Sequence, residues 1–255
     1  MTVLAAHHLT IGYGDKMVAS DLSLGCAAGT VTCLLGPNGV GKTTLFKTLL
    51  GLLPALDGNV AVGGDDLATL TRREIARRIA YVPQAHLTEF AYTVIDLVVM
   101  GRTAYLGAFG KPRPIDYDKA LAALDMLGIA DLAEREITRI SGGQRQLAFI
   151  ARALAQESRI IFMDEPTASL DLGNRVRVLR TVRTLAQEGL AIVLSTHEPE
   201  YAFEIADRVA VLGHGSRFVT GEVQAVLTAD VLSGLYGVPL CVERTPSGRH
   251  VVGST

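Results

Sequence analysis

The sequence predicts an α/β protein built on a mainly parallel β-sheet. Short apolar segments bounded by glycine recur along the chain, and stretches with helical periodicity separate them. Strands that alternate with helices in this way usually form a parallel sheet covered by helices. A chain of 255 residues that is 49% hydrophobic is long enough for one large domain with a sizeable core.

Strands are predicted where β-branched residues cluster between glycine or proline boundaries. In chain order these segments are "VLAAHHLTIGYG", "GTVTCLLG", "GNVAVGG", "IAYVP", "RIIFMD" and "LAIVLST". The segment "RVAVLGHGSRFVTG" is predicted to be a β-hairpin that turns at "GHGS". These segments supply the strands of the predicted core, and the glycines between them mark the turns.

Helices are predicted between these strands. One begins near Gly41 and runs to Pro54, another covers "TRREIARR", and a third covers residues 174–188. Residues 86–158 have a mostly helical pattern and form a predicted inserted subdomain. In its last helix, apolar residues recur at helical spacing; they are Leu147, Ile150, Ala151 and Leu154.

The predicted organisation is one domain that covers residues 1–255. Its core lobe takes about residues 1–85 and 159–230, and the helical subdomain takes about residues 86–158. A short tail of about residues 231–255 is punctuated by glycine and proline, and no element is predicted for it.

Composition excludes several classes of protein. The net charge of −2 gives no indication of nucleic-acid binding, which usually needs a basic excess. The cysteines Cys26, Cys33 and Cys241 are odd in number and scattered, which suits a reducing compartment. A signal peptide is not expected, because the amino terminus has no charged start followed by a long apolar run. A membrane-spanning segment is not expected either, because no window of about 18 apolar residues is free of charge.

A glycine-rich loop follows the second predicted strand and matches the phosphate-binding pattern G-x-x-x-x-G-K-[ST]. The glycines allow backbone N–H groups to turn toward one point, and the following helix adds its positive end. Lys42 would reach the β- and γ-phosphates, and the Thr43 hydroxyl would bind Mg²⁺. The loop residues expected to hold the nucleotide are Gly36, Pro37, Asn38, Gly39, Val40, Gly41, Lys42, Thr43 and Thr44.

A carboxylate pair ends the apolar strand "RIIFMD". Ligands of α/β sheets gather at the carboxyl ends of strands, so Asp164 is placed to hold Mg²⁺. Glu165 is placed to polarise a water molecule for attack on the γ-phosphorus. Adjacent acids also occur in solvated turns, but the apolar strand before this pair and the phosphate loop upstream favour the catalytic interpretation.

The stretch "ISGGQRQ" predicts a second helix start that faces an anion. Ser141 is a good N-cap, and Gly142 and Gly143 expose backbone N–H groups behind it. An ordinary capped helix is the alternative. The position of Ser141 ahead of the strand that ends in Asp164 favours the anion site.

In the order of its motifs the sequence resembles the ATP-binding-cassette ATPases over nearly the whole chain. The motifs appear in the order "GPNGVGKTT", "YVPQ", "ISGGQ", "FMDEP", "SLD" and "STH". The resemblance implies a P-loop NTPase core with a mainly parallel sheet, a small antiparallel β subdomain and an inserted α-helical subdomain. One departure is Ile140, where the family usually has leucine, and this apolar exchange is not expected to change the chemistry.

The resemblance also implies roles for residues outside the first loop. Tyr13 would stack on adenine, Gln84 would reach Mg²⁺ and the attacking water, and His197 would contact the γ-phosphate. Asp171 would cross a dimer interface. The signature that contacts the ATP of the opposite subunit would consist of Ser141, Gly142, Gly143 and Gln144. As alternatives, Tyr13 is a plain surface aromatic, Gln84 a simple loop amide and His197 a structural histidine.

Within this family the chain resembles the ATPases of bacterial metal-chelate importers, which handle iron–siderophores, haem, cobalamin and, in some members, molybdate or tungstate. The resemblance implies a homodimer at the cytoplasmic face of the bacterial inner membrane, two transmembrane permease subunits, and indirectly a periplasmic or lipid-anchored substrate-binding protein. The stretch from Ala85 to Lys111, rich in aromatic and aliphatic residues, is expected to dock a permease or to serve the core. The rivals are a soluble non-transport ABC ATPase and a P-loop kinase.

Overall fold

The structure is a computed structural model that describes residues 1–84, 92–107 and 110–254. The chain forms two compact units: Met1–Leu70 together with Val182–Thr255 make the first, and Thr71–Thr181 make the second. The α/β class predicted from the sequence is confirmed. The division into a core lobe, a helical subdomain and a tail stays a prediction.

One sheet of the first unit is antiparallel. Its strands are β1 (Thr2–Tyr13), β2 (Lys16–Ala27), β4 (Asp57–Val62) and β5 (Asp65–Asp66), in the order β2-β1-β4-β5. Strand β2 was not predicted, although Leu22, Leu24 and Cys26 alternate with exposed residues and are buried. Register shifts along the β1–β2 ladder interrupt that alternation near Asp21, whose φ is 56°.

The other strands of the first unit are mainly parallel. They are β3 (Val31–Leu35), β8 (Ala191–Thr196), β9 (Arg208–Leu212) and β10 (Phe218–Glu222). Strand β3 runs parallel to β8 and β9, and β10 returns antiparallel to β9 in the predicted hairpin. All residues of β3 and β8 are buried, as expected for central strands of a parallel sheet.

The helices of the first unit are α1 (Lys42–Leu49), α7 (Pro199–Ile205), α8 (Val223–Val226) and α9 (Ala229–Tyr236). Helix α1 ends before the predicted Pro54, because the chain turns at Gly51 with φ 66°. The tail is more ordered than predicted, since α9 is followed by a hairpin of β11 (Leu240–Arg244) and β12 (His250–Ser254).

The second unit contains the parallel strands β6 (Ile79–Val82) and β7 (Ile160–Asp164). Its helices are α2 (Arg72–Arg78), α3 (Val94–Val99), α4 (Pro114–Met126) and α5 (Gly142–Ala155), and α6 (Leu172–Gln187) begins in it. Helices α3, α4 and α5 pack against one another. Leu147, Ile150 and Ala151 are buried on α5, as their spacing predicts.

Candidate functional site

The glycine-rich loop lies between the buried strand β3 and helix α1. Gly39 and Gly41 have φ values of 79° and 116°, which side chains with a Cβ rarely adopt. A Cβ on Gly36 would overlap the carbonyl oxygen of Leu212. The three glycines therefore allow a backbone path that other residues would not follow.

Lys42 is the first residue of α1, and its side chain is buried. Its ammonium Nζ donates to the carbonyl oxygens of Gly36 at 2.7 Å and of Pro37 at 3.1 Å. The cation is thus held directly against the loop. A buried ammonium surrounded by carbonyl dipoles and by the start of a helix suits a polyphosphate ligand.

The other predicted residues of the loop divide by exposure. Val40 and Thr44 are buried and anchor the loop, whereas Asn38 and Thr43 are exposed. Tyr13 lies at the end of β1 and is 47% exposed. An exposed aromatic ring of this size can stack on a planar base.

The structure places His197 next to the phosphate loop. In the pairing of β3 with β8, Leu35 is opposite Thr196. Gly36 and His197 are the residues that follow this pair, so both leave the sheet at the same edge. His197 is exposed, and its main-chain carbonyl oxygen accepts a hydrogen bond of 2.6 Å from the hydroxyl of Tyr236.

In the second unit, β6 and β7 bring the predicted catalytic amide and carboxylate together. Val82 is paired with Met163, so both strands end at one edge. The Gln84 side-chain Nε2 donates to the Glu165 carboxylate Oε2 at 3.0 Å. Glu165 has a φ of 45°, an uncommon backbone conformation for glutamate of the kind that occurs at functional sites.

Asp164 is buried at the end of β7, and the Tyr81 hydroxyl lies 3.4 Å from its Oδ2 atom. Burial, followed by the charge of Asp164, raises the pKa of Tyr81 to about 12. The tyrosine therefore stays protonated at neutral pH and can donate to the carboxylate. Sequence reasoning did not single out Tyr81, although it lies in the quoted motif "YVPQ".

The signature sequence forms the start of α5. The Ser141 hydroxyl accepts a hydrogen bond from the Gln144 N–H, and the Gln144 side chain accepts one from the Ser141 N–H. This reciprocal arrangement is a capping box, and it fixes both side chains at the mouth of the helix. Ser141 and Gly142 are exposed, while Gly143 is buried.

Asn174 connects the signature to Asp171, and sequence reasoning missed it. A Cβ on Gly143 would overlap the Asn174 side chain. Asn174 also donates from its backbone N–H and from its side-chain amide to Asp171, both at 2.8 Å. These bonds, the backbone one first, lower the pKa of Asp171 and keep it ionised.

The stretch expected to dock a permease is only partly described. Residues 85–91 and 108–109 lie outside the described residues. Val94, Leu97 and Val98 are buried in α3, so these three serve the core, which was the alternative interpretation. Tyr92 and Met100 are each 40% exposed and stay candidates for a contact surface.

The donor atoms present suit a hard cation. Thr43 offers a hydroxyl and Asp164 a carboxylate, and Mg²⁺ prefers oxygen ligands. In the described part of the chain, no cluster of three or more His, Cys, Asp or Glu side chains has the geometry to hold a metal by itself. Mg²⁺ sites at nucleotides typically use one or two protein ligands together with phosphate oxygens, and each of these side chains is of a type that such a site uses.

Helices that could cross a bilayer are absent from the residues described here, since none is both long and apolar enough.

The fold and the loop geometry define a nucleotide-binding α/β protein. The family described as ABC transporter matches residues 19–168. The chain therefore belongs to the ABC transporter family, and it is an ATP-binding ATPase of that family.

Two named relatives and a solved structure give the comparison more detail. The molybdate import ATP-binding protein MolC of Haemophilus influenzae is 37% identical over 89% of this chain and 84% of its own length. The hemin import ATP-binding protein HmuV of Thermobifida fusca is 38% identical over 92% of this chain and 82% of its own length. A structure described as an inward-facing metal-chelate type ABC transporter matches with a TM-score of 0.88 and 34% identity, covering 100% of this chain and 99% of that one.

Proposed function

We propose that this chain is the ATP-hydrolysing subunit of a bacterial importer for a metal chelate or a metal oxyanion. The cargo class comprises iron–siderophores, haem, cobalamin and molybdate or tungstate. Relatives named for molybdate and hemin import support this class. The observation that carries the hydrolytic part is the contact between Gln84 and Glu165 at 3.0 Å, because it orients a carboxylate at the edge where β6 and β7 end.

Binding of ATP is assigned to the first unit. The backbone N–H groups of the loop from Gly36 to Thr44 would surround the phosphates, and Lys42 would neutralise the β- and γ-phosphate charge. Tyr13 would stack on the adenine. Thr43, Asp164 and Gln84 would hold Mg²⁺, whose positive charge would offset the charge that develops on the phosphate oxygens.

Hydrolysis needs a base, an orienting group and a contact to the γ-phosphate. Glu165 would accept a proton from the attacking water. The water oxygen would then bond to the γ-phosphorus while the bond between that phosphorus and the ADP oxygen breaks. Gln84 would orient the water and the Glu165 carboxylate together. His197 is exposed beside the start of the phosphate loop, which suits a contact to the γ-phosphate.

The assembly proposed is a homodimer with two ATP molecules. The signature residues Ser141, Gly142, Gly143 and Gln144 of one subunit would contact the γ-phosphate held by the other, and Asp171 would cross the interface. Two permease subunits would receive the closing motion at the cytoplasmic face of the inner membrane, with a binding protein delivering cargo.

The variant Glu165→Gln tests the catalytic assignment. Glutamine keeps the shape but cannot accept the proton, so turnover should fall by about 10²–10⁴-fold while ATP still binds. The mutant should then elute as a dimer in MgATP and as a monomer in ADP. Glu188→Gln, an exposed carboxylate outside the site, is the matched control and should keep the wild-type rate. A wild-type rate for Glu165→Gln would show that the base lies elsewhere.

The transport role needs a separate test. The chain should copurify with a membrane permease encoded beside it, and its ATPase rate in lipid should rise when cargo-loaded binding protein is added. Full activity without any membrane partner and no copurification would favour a non-transport ATPase.

A further inference from the structure

The tail makes one direct contact with the backbone of a site residue. Tyr236 is the last residue of α9, and its hydroxyl donates to the main-chain carbonyl oxygen of His197 at 2.6 Å. Tyr236 is partly buried. A short hydrogen bond between a rigid ring and a main-chain carbonyl restrains the peptide plane that follows His197.

The hydroxyl remains a donor over the physiological range. Burial raises the pKa of Tyr236, and the charges of Glu200 and Glu198 raise it further. A raised tyrosine pKa keeps the proton on the oxygen at neutral and mildly alkaline pH. The bond to the His197 carbonyl is therefore not lost by ionisation of the tyrosine under working conditions.

Other restraints hold the same short segment. Strand β8 fixes Thr196 on one side, and the Glu198 N–H donates to the Thr196 hydroxyl at 3.1 Å. Helix α7 begins at Pro199, where the ring fixes φ. The His197 side chain is exposed, and it leaves a backbone segment that these contacts hold.

The hairpin that follows α9 supports the arrangement. Strand β11 packs against α9, and β12 packs against α7. The Phe203 ring of α7 stacks on the His250 ring of β12, with centroids 4.5 Å apart and an interplanar angle of 17°. The tail thus makes two kinds of contact here. Tyr236 binds the His197 carbonyl, and β12 packs on α7, the helix that follows His197.

We infer that Tyr236 is a positioning residue for hydrolysis, which acts by holding the His197 peptide so that the imidazole points at the γ-phosphate. This inference rests on the role proposed for His197. It gives the tail a part in the reaction, because a small displacement of a reacting or contacting group can cost up to about 10²-fold in rate.

The test is a double-mutant cycle on the full chain, with turnover and ATP affinity measured for each variant. Tyr236→Phe removes only the hydroxyl and should lower kcat by about tenfold with little change in KM. His197→Ala should lower kcat further, and the double variant should be as slow as His197→Ala alone, because the tyrosine acts through the histidine.

Ser233→Ala is the control on the same helix. The Ser233 hydroxyl accepts a hydrogen bond of 2.9 Å from the Leu240 N–H, so this variant weakens the tail without touching His197. It should keep kcat within twofold of the wild type, even if thermal stability falls. An equal loss of kcat in Ser233→Ala would mean that general loosening of the tail explains the result, and would overturn the inference.

The remaining outcomes separate the two proposals. A wild-type kcat for Tyr236→Phe together with a slow His197→Ala would overturn the inference and leave the proposed function intact. A further loss from Tyr236→Phe in the His197→Ala background would also overturn it, because the tyrosine would then act elsewhere. A wild-type rate for His197→Ala would contradict the histidine's role in the proposed function itself.

Discussion

The two glycine-rich helix starts of this protein are built in opposite ways. Helix α1 follows Gly41, which has no side chain that could accept hydrogen bonds from the first turn. Helix α5 follows Ser141, which forms a reciprocal capping box with Gln144. No side chain caps the first start, whereas the second uses its own side chains to satisfy part of its donors.

The difference suggests different tasks under the proposed function. A loop that surrounds several phosphate oxygens needs many open donors and a fixed cation, which Lys42 supplies. A surface that contacts only the γ-phosphate of another subunit needs a rigid, preformed shape, because an ordered surface loses less entropy when the dimer closes. Three substitutions test this difference, and they follow in order of decreasing expected effect.

Lys42→Ala should have the largest effect at the loop. Removing the buried cation that offsets phosphate charge should lower turnover by about 10²–10³-fold, and ATP binding should weaken with it. Lys47→Ala, in the last turn of the same helix, is the matched control and should bind ATP normally. The measurements are the ATP affinity and the turnover of Lys42→Ala and Lys47→Ala. A Lys42→Ala rate within threefold of the wild type would contradict the assignment of the phosphate loop.

Gly143→Ala should have a smaller effect at the signature. The new Cβ would overlap the Asn174 side chain and disturb its bonds to Asp171, so turnover should fall by up to about 10²-fold. ATP binding to the monomer should stay near the wild-type value, as measured by titration. Asn174→Gly alone removes the same side-chain bond to Asp171 and should lower turnover comparably. A wild-type rate for Asn174→Gly would show that the glycine is needed for another reason.

Ser141→Ala should have the smallest effect. Loss of the cap should cost about 1 kcal/mol of stability and a few degrees in Tm. Thr71→Ala removes the equivalent capping box of α2 and should lower Tm similarly. Only Ser141→Ala should also reduce turnover, by severalfold. Equal turnover in the two variants would mean that Ser141 serves the helix alone, which was the alternative interpretation.

Local patterns predicted the fold class and most of the candidate residues. The loop from Gly36 to Thr43, the acids Asp164 and Glu165 at the end of β7 and the cap at Ser141 follow from short motifs. The contacts of Tyr81 with Asp164 and of Gln84 with Glu165 were not predictable, because they join strands about 80 residues apart, and the pairing of β6 with β7 decides them.

Two of the three misses share a physical cause, which is a contact between residues that are distant in the sequence. Tyr236 lies 39 residues from His197, and its bond to that carbonyl depends on how α9 packs, which no local pattern encodes. Asn174 has an ordinary sequence context, and its role appears only from its contact with Gly143. Strand β2 did alternate, but a local cause, the register shift near Asp21, broke the period.

Under the proposed function, the phosphate loop of one chain and the signature of another form one ATP site. The most direct measurement mixes a Lys42→Ala chain with a Ser141→Arg chain, each of which should hydrolyse ATP very slowly alone. Mixed dimers would contain one site in which both motifs are intact, so the mixture should turn over ATP well above the summed rates of its components. A mixture no faster than that sum would contradict an ATP site shared between two subunits.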